Sequence, residues 1–194
     1  MTDPITPMTS WKLRQALSAD SLCHAALGTG AAFQDLPDFE QSAQCHIKPQ
    51  VRLTSVGGAR IRPLYTRCQT ALRLAMWHQH SIAPKAQDIL NQPVREILHL
   101  SSYNCREIRT ASGPTGRMST HATADAVDIQ GFVMAEGQRI LLQDHWQDGG
   151  ERGGFLRAVR DGACDWFRLT LGPDYNALHS DHFHLQHTGW GLCR

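Results

Sequence analysis

Apolar residues recur at helical spacing in two segments of the chain. In residues 66–80 they form one stripe, made of Cys68, Ala71, Leu72, Ala75 and Met76. In residues 153–172 they form a second stripe, broken near Gly162 and made of Phe155, Leu156, Val159, Ala163, Trp166 and Phe167. Helices with such a stripe bury one face, so both segments are predicted to pack on the core.

Shorter elements are predicted around these two helices. A helix over Asp20–Leu27 would have Asp20 as N-cap and Gly28 as C-cap, and another helical turn begins at Pro84. Runs of β-formers predict two strands around a turn at residues 57–58, a strand at 93–100 continuing through 102–108, a hairpin of 124–134 with 138–144, and a last strand at 182–187. Helices packed on a central antiparallel sheet make an α+β fold.

No low-complexity linker and no internal repeat divides the 194 residues. We therefore expect one domain, in which residues 1–63 form an irregular, cysteine-bearing lead-in and residues 64–194 form the core that carries the chemistry. The five tryptophans, including Trp146, Trp166 and Trp190, are predicted to lie in the core or to line a groove.

The cysteines indicate an oxidising compartment. Their number is even, no C-x-x-C pair is present, and they are spread over the chain at Cys23, Cys45, Cys68, Cys105, Cys164 and Cys193. Three disulfides are therefore predicted, and with them a periplasmic or extracellular location. Of the possible pairings we expect Cys45 with Cys68, because these residues flank a hairpin-sized segment.

The charges favour neither nucleic acid nor an anionic membrane as a partner. Lysine and arginine number 19 and aspartate and glutamate 18, without long runs of one sign. The first residues, MTDPITPMTSWKL, contain neither a signal peptide nor a membrane span. Membrane attachment is thus expected only through a signal or anchor that this sequence does not include.

Two polar stretches, STHATADAVDI and SDHFHLQH, carry the candidate chemistry. Side chains alternate along a strand, so adjacent strands could bring His121, Asp128 and His184 to one point, with the small Ala124 and Ala126 leaving room for it. Two imidazoles and one carboxylate make a common catalytic zinc site, whose fourth position is open to water. With 11 histidines in the chain, each stretch taken alone is better explained by loop or surface histidines, and it is the two stretches together that favour a metal site.

The residues around these stretches resemble a known family. SYNCR, STHATADAVDIQGF, GACDWFRLTLGPDYNALHSDHFHL and the final CR look like the extensin-like C-terminal domain family of bacteria. That family is in turn similar to the zinc D-alanyl-D-alanine carboxypeptidases and related peptidoglycan peptidases, a clan that includes the lysostaphin-type enzymes and the hedgehog signalling domain. The resemblance covers residues 22–194.

The resemblance implies a zinc site. The clan motif S-x-H-x-x-G-x-A-x-D corresponds to Ser119 through Asp128, so that His121 and Asp128 carry over as ligands and His184 of DHFH as the third. Ser119 is the candidate substrate-binding residue. Alanine at position 124 replaces the usual glycine, which is tolerable if the backbone there has a negative φ.

The resemblance also implies catalytic residues. The carboxypeptidase branch uses the residue three before the last ligand and the lysostaphin branch the residue two before, which here are Asp181 and His182. We predict that Asp181 is the base and that His182 stabilises the tetrahedral intermediate, although His182 could also be the base. Arg106 would steady the oxyanion, the alternative being a surface salt bridge.

The expected function is that of a zinc-dependent peptidase that cleaves peptidoglycan stem peptides or cross-links. The alternative is a non-hydrolytic, zinc-containing module for cell-wall binding or scaffolding, because Asp181 is one methylene shorter than the glutamate of the clan. His145, His179 and His187 are interpreted as surface or loop histidines, with a role in orienting the ligands as the alternative. Residues 113–119 are expected to form a mobile loop.

Overall fold

The computed structural model describes residues 4–110, 113–189 and 191–194. Its α-helices are α1 (Thr9–Ala16), α2 (Asp20–Leu27), α3 (Cys68–Trp77), α4 (Ala83–Leu90), α5 (Leu142–His145) and α6 (Glu151–Ala163). Its strands are β1 (Ala31–Asp35), β2 (Phe39–Ser42), β3 (Cys45–Ile47), β4 (Gln50–Val56), β5 (Ala59–Arg67), β6 (Val94–His99), β7 (Glu107–Thr110), β8 (Gly113–Met118), β9 (Ala126–Met134), β10 (Arg139–Leu141), β11 (Leu169–Leu171), β12 (Phe183–Gln186) and β13 (Leu192–Cys193).

A central sheet organises the described residues. Its strands follow the order β1-β4-β5-β6-β9-β12-β11-β13, and β10 also pairs with β9. The hairpins β2–β3 and β7–β8 form two small separate sheets. The α+β class is confirmed, and the predicted hairpin of β9 with β10 is present.

The central sheet is mixed, and the prediction of an antiparallel sheet was wrong. β5 pairs with β6 in parallel, with Arg60 opposite Glu96, and β11 pairs with β13 in parallel. The first parallel pair follows from the chain path: α3, a π-helical turn at His78–Ile82 and α4 form a crossover between β5 and β6. Such a crossover returns the chain in the same direction, as in a βαβ unit.

The main hydrophobic core lies between the sheet and the long helices. The five residues of the predicted α3 stripe are all buried, and the rings of Trp77, Phe132 and Phe155 contact one another edge to face at 6.1 and 5.3 Å. The Trp77 indole donates a hydrogen bond to the Val159 carbonyl at 2.8 Å, which joins α3 to α6. Each of these aromatic side chains buries apolar area worth about 2–3 kcal/mol.

Trp146 and Trp166 are buried as well, Trp11 is half exposed, and Trp190 lies outside the described residues. Among the residues that the structure describes, no helix combines the length and apolar composition needed to cross a bilayer.

All six cysteines are paired, as predicted, but the expected bond between Cys45 and Cys68 was wrong. The disulfides are Cys23–Cys68, Cys45–Cys105 and Cys164–Cys193. Cys68 opens α3 and faces α2, which packs against α3, whereas Cys45 on β3 faces the loop before β7. Spacing along the chain carries no information on these long-range contacts.

Four local expectations also differ from the structure. Residues 4–63 contain two helices and most of the first five strands, so the lead-in is more regular than expected; the division at residue 63 stays a prediction. The strand at β6 ends at His99, and an irregular segment leads to β7 instead of a continuation. Residues 113–118 form β8 rather than a loop, and Ala19 rather than Asp20 is the N-cap of α2.

Candidate metal centre

A short 3₁₀ turn, Thr120–Thr123, positions the first candidate ligand. Ser119 caps this turn, because its hydroxyl accepts a hydrogen bond from the His121 amide at 3.3 Å. The Asp125 amide donates to the Thr120 carbonyl at 2.9 Å and closes the turn. The imidazole of His121 is only 2% exposed, so its direction is fixed by the surrounding chain.

Ala124 ends this turn in a left-handed conformation, with φ of +52°. The condition under which alanine was expected to replace glycine without strain is therefore not met. A left-handed alanine costs about 1–2 kcal/mol. The Ala124 carbonyl compensates by accepting hydrogen bonds from the hydroxyls of Thr70 at 2.9 Å and Thr66 at 3.3 Å, which hold the turn on α3 and β5.

The other two candidate ligands lie opposite each other on neighbouring strands. β9 and β12 are antiparallel, and their register pairs Asp128 with His184. Phe183 and Leu185 on β12 are fully buried, as the alternation predicted, so His184 faces away from the core. The side chains of Asp128 and His184 are 13% and 12% exposed, which leaves the cluster accessible from one side.

The ligand atoms of the three residues converge. His121 Nε2 lies 3.2 Å and His184 Nδ1 3.0 Å from Asp128 Oδ1, and the two nitrogen atoms are 3.1 Å apart. A tetrahedral zinc site with bonds of about 2.0–2.1 Å has ligand atoms about 3.3 Å apart. The three predicted ligands therefore form a triangle of the size that a zinc ion requires.

The outward nitrogen of each imidazole also has a partner. His121 Nδ1 lies 2.8 Å from the Ser102 carbonyl, and His184 Nε2 lies 3.3 Å from Gln186 Oε1. An oxygen acceptor at these positions requires an N–H there, so in the neutral rings the lone pairs of His121 Nε2 and His184 Nδ1 point at the centre. Two nitrogen lone pairs held in this direction could both bind a metal ion at the centre.

Asp128 supplies the negative charge. Burial raises the pKa of Asp128, but His121 and His184, when their rings are protonated and can donate hydrogen bonds to it, lower the pKa further than burial raises it. The net effect is a pKa well below the usual range, so the carboxylate is ionised at neutral pH. It is therefore ready to bind a cation.

Asp181 and His182 form a pair beside the cluster. His182 Nδ1 lies 2.8 Å from Asp181 Oδ1, and His182 Nε2 lies 3.7 Å from Asp128 Oδ1. Asp181 belongs to the turn before β12, as one of the predictions required, but its carboxylate contacts His182 and is 44% exposed. The ring of His182 thus presents Nε2 to the cluster.

Arg106 and Ser119 are joined through the backbone. The Ser119 amide donates to the Arg106 carbonyl at 3.0 Å, and the Asn104 amide donates to the His121 carbonyl at 3.0 Å. The Arg106 guanidinium donates to the Glu107 carbonyl at 3.2 Å and forms no salt bridge within the described part of the chain. Ser119 is buried, and its observed contact is the cap of the turn that holds His121.

One further histidine, His179, is closer to the cluster than the sequence indicated. The ring of His179 lies 5.3 Å from that of His182 and 5.9 Å from that of His184. Burial, and then the charges of His182 and His184, lower the pKa of His179 to about 4. The signal available in the sequence was its position inside the stretch that carries the family resemblance.

His187 lies behind the turn and is not a surface residue. Its Nε2 is 3.3 Å from Asp125 Oδ1 and its Nδ1 is 3.2 Å from the Thr70 hydroxyl. Burial lowers the pKa of His187 to about 4. His145, in contrast, is the last residue of α5 rather than a loop residue, and its hydrogen bonds are with the Leu141 backbone and Arg152, not with the cluster.

A cavity of about 370 Å³ adjoins the segment that supports the cluster. Its lining includes Phe39, Tyr65, Leu100 and Tyr103. The Leu100 amide donates to the Asp128 carbonyl, and the Asp128 amide donates to the Ser101 carbonyl, both at 2.9 Å. Residues 99–103 therefore both line the cavity and fix the backbone of Asp128.

Comparison with known proteins identifies a family but no individual relative. The family model described as "Extensin-like protein C-terminus" matches residues 21–194. Searches of curated proteins and of solved structures found no match.

Proposed function

Since the chain belongs to the extensin-like protein C-terminus family, and since three of its side chains converge as metal ligands, we propose that it is a zinc-dependent peptidase. Its substrates would be the stem peptides or cross-links of peptidoglycan. We further propose that the family belongs to the zinc D-alanyl-D-alanine carboxypeptidase, lysostaphin and hedgehog clan, whose ligand motif residues 119–128 resemble.

The observation that carries this proposal is the triangle of His121 Nε2, Asp128 Oδ1 and His184 Nδ1, with sides of 3.0 to 3.2 Å. Zinc, when bound there, would polarise a carbonyl and lower the pKa of a water molecule to about 7. Ser102 and Gln186 hold the two imidazoles in the tautomers that this role needs. The open side of the cluster gives a substrate access.

The geometry favours His182 as the proton acceptor. Because the Asp181 carboxylate accepts the Nδ1–H of His182, Nε2 of His182 carries the lone pair, and it lies over the cluster at 3.7 Å from Asp128 Oδ1. Asp181 then orients His182 and stabilises its charged form. A general base oriented by a third group is common in hydrolytic sites. This assignment prefers the alternative of the sequence analysis, with His182 as the base and Asp181 as the residue that orients it.

Arg106 remains the candidate for binding the developing oxyanion, because its guanidinium has no carboxylate partner among the described residues. Ser119 remains a candidate for substrate binding in addition to its capping role. The cavity lined by Tyr65 and Tyr103 is a suitable place for the part of the substrate beyond the scissile bond.

A non-hydrolytic cell-wall binding module is the second candidate. It is favoured by the position of the Asp181 carboxylate, which contacts His182 instead of the cluster. Both functions fit a periplasmic or extracellular protein, since three disulfides persist best in an oxidising compartment.

The test is incubation of the purified protein with muropeptides, followed by mass spectrometry and detection of new amines. We expect cleavage that a chelator abolishes and that added zinc restores. The Asp128→Asn protein serves as the inactive control. Saturable muropeptide binding without any cleavage would support the second candidate instead, and neither binding nor cleavage would contradict both.

A further inference from the structure

A pocket rich in arginine lies on the helical side of the molecule, apart from the metal centre. Its volume is about 460 Å³, and it lies between α1, α3 and residues 165–168. Arg14, Arg73 and Arg168 contribute to its walls, and we refer to it as the basic pocket. It shares no residue with the metal centre or with the cavity of residues 99–103.

The positive charges of the basic pocket are not balanced by the protein. Asp165 is the acidic residue that lines it. Within the described ranges, none of the three guanidinium groups forms an ion pair with a carboxylate. The pocket therefore has an excess of two positive charges at neutral pH, three arginines against one aspartate.

Arg73 is the most constrained of the three. Its guanidinium donates one hydrogen bond to the Trp166 carbonyl, while its Nε is buried without a partner in the described structure. Burial, and then the charge of Arg168, lower the pKa of Arg73. Arg168 is held in place by a hydrogen bond from its Nε to the Gly189 carbonyl at 3.0 Å. Keeping the partly buried Arg73 guanidinium charged beside the exposed Arg168 is costly unless an anion lies close to both.

The remaining walls supply hydroxyl groups and apolar surface. Thr6, Thr9 and Ser10 line the pocket, and the Thr6 amide donates to the Thr9 hydroxyl at 2.9 Å. Guanidinium forks and hydroxyl donors match the oxygen atoms of a phosphate group. Ile5, Leu13 and Trp166 add apolar contacts, and the volume lies in the range of small-molecule sites rather than that of a bare ion.

We propose that the basic pocket binds the phosphate group of a small phosphorylated ligand. The site is independent of the proposed peptidase activity. Arg73 and Arg168 would bind the phosphate oxygens, Arg14 would approach from α1, and the apolar wall would contact the remainder of the ligand.

The experiment is isothermal titration of the purified protein with inorganic pyrophosphate, repeated after chelation so that no metal can contribute. We expect saturable binding with a dissociation constant below about 1 mM, unchanged by chelation. The variant Arg73→Gln with Arg168→Gln should bind at least about tenfold more weakly, since each lost pair is a charge-assisted hydrogen bond. Arg95→Gln, an exposed arginine on β6, is the matched control.

The double variant could lose binding because it folds poorly, and Arg14→Gln tests the pocket without that risk. Arg14 is exposed on α1, so its replacement leaves the core intact. It should weaken pyrophosphate binding while the thermal midpoint stays unchanged.

Sedimentation with vesicles of phosphatidic acid, against phosphatidylcholine, distinguishes a lipid headgroup from a soluble ligand; we expect binding to neither. No saturable binding of pyrophosphate, equal binding by all variants, or binding lost on chelation would overturn the proposal, as would selective binding to phosphatidic acid vesicles without pyrophosphate binding.

Discussion

Two aspartates three residues apart, Asp125 and Asp128, each contact histidine, yet their surroundings differ in kind. Asp125 is matched by donors: its Oδ1 accepts from Arg67 at 2.6 Å, its Oδ2 accepts from the Thr123 hydroxyl at 2.7 Å, and His187 lies at 3.3 Å. Both carboxylate oxygens of Asp125 therefore have a hydrogen-bond donor within the protein, and Arg67 balances its charge. Such a network fixes structure and needs no ligand.

Asp128 is surrounded by acceptors instead. His121 Nε2 and His184 Nδ1 lie within 3.2 Å of its Oδ1 and 3.1 Å from each other, while both rings use their N–H groups on other partners. Acceptors this close require a proton or a cation between them. The comparison teaches that a His–Asp contact alone does not indicate a metal site. A metal site is indicated when the carboxylate and the imidazole nitrogens around it lack hydrogen-bond donors.

The largest expected effect is the loss of metal and turnover on changing the second aspartate. Asp128→Asn should weaken zinc binding by more than about 100-fold, because loss of an outer-sphere partner alone costs about 10- to 100-fold. Turnover should fall with it. Competition titration with a chromogenic chelator measures the affinity. Asp125→Asn is the matched control and should keep one zinc per chain; equal zinc loss in both variants would erase the distinction.

The second effect concerns the pair beside the cluster. His182→Ala should lower turnover by about 10²- to 10⁴-fold, the contribution typical of a general base, with zinc still bound. Asp181→Asn should cost less, about tenfold, because it removes only the group that orients the ring. The rates and the zinc content are measured on the same preparations. A greater loss in Asp181→Asn would return the role of base to Asp181.

A third prediction concerns the contribution of Asp125 to stability, compared with that of Asp128. Asp125→Asn should lower the free energy of unfolding by about 1–3 kcal/mol, because Arg67 and His187 lose their charged partner. In metal-free protein Asp128→Asn should cost less than this, or nothing, since it relieves the crowding of acceptors. Urea denaturation with chelator present compares the two. A larger loss in the Asp128 variant would contradict the interpretation.

The smallest effect is on pH dependence. Burial lowers the pKa of His78 and of His187 to about 4 from 6.5, so both are neutral in the folded protein at pH 6. The unfolded chain binds more protons below pH 6.5, and stability present above that pH is therefore lost as the pH falls toward 4. His187→Gln should flatten the slope of unfolding free energy between pH 6.5 and 4. An unchanged slope would show that His187 does not contribute.

The sequence predicted well what depends on local periodicity. The stripe of α3, the faces of β12 and the hairpin of β9 with β10 follow from spacings of a few residues. The three candidate ligands converge for the same reason, since each lies on or beside a strand whose alternation is readable.

Features that depend on distant contacts were not predicted. The partners of Cys45 and Cys68 are set by how α2 and the loop before β7 pack, and the left-handed Ala124 is held by hydroxyls from residues 66 and 70. His179 approaches the cluster only because the 3₁₀ turn Ala177–His179 folds back over β12. The parallel pairing of β5 and β6 had a signal, the intervening helices, which was not used.

The disulfide between Cys164 and Cys193 joins residues 29 apart. Asp181, His182 and His184 lie between them, as does His179. A protease that cuts once inside this ring leaves a single covalent molecule, because the disulfide still joins the two fragments and keeps the strand that carries His184 attached. The half of the site that comes from β12 is therefore protected against release by a single cut, and this protection disappears when the bond is reduced.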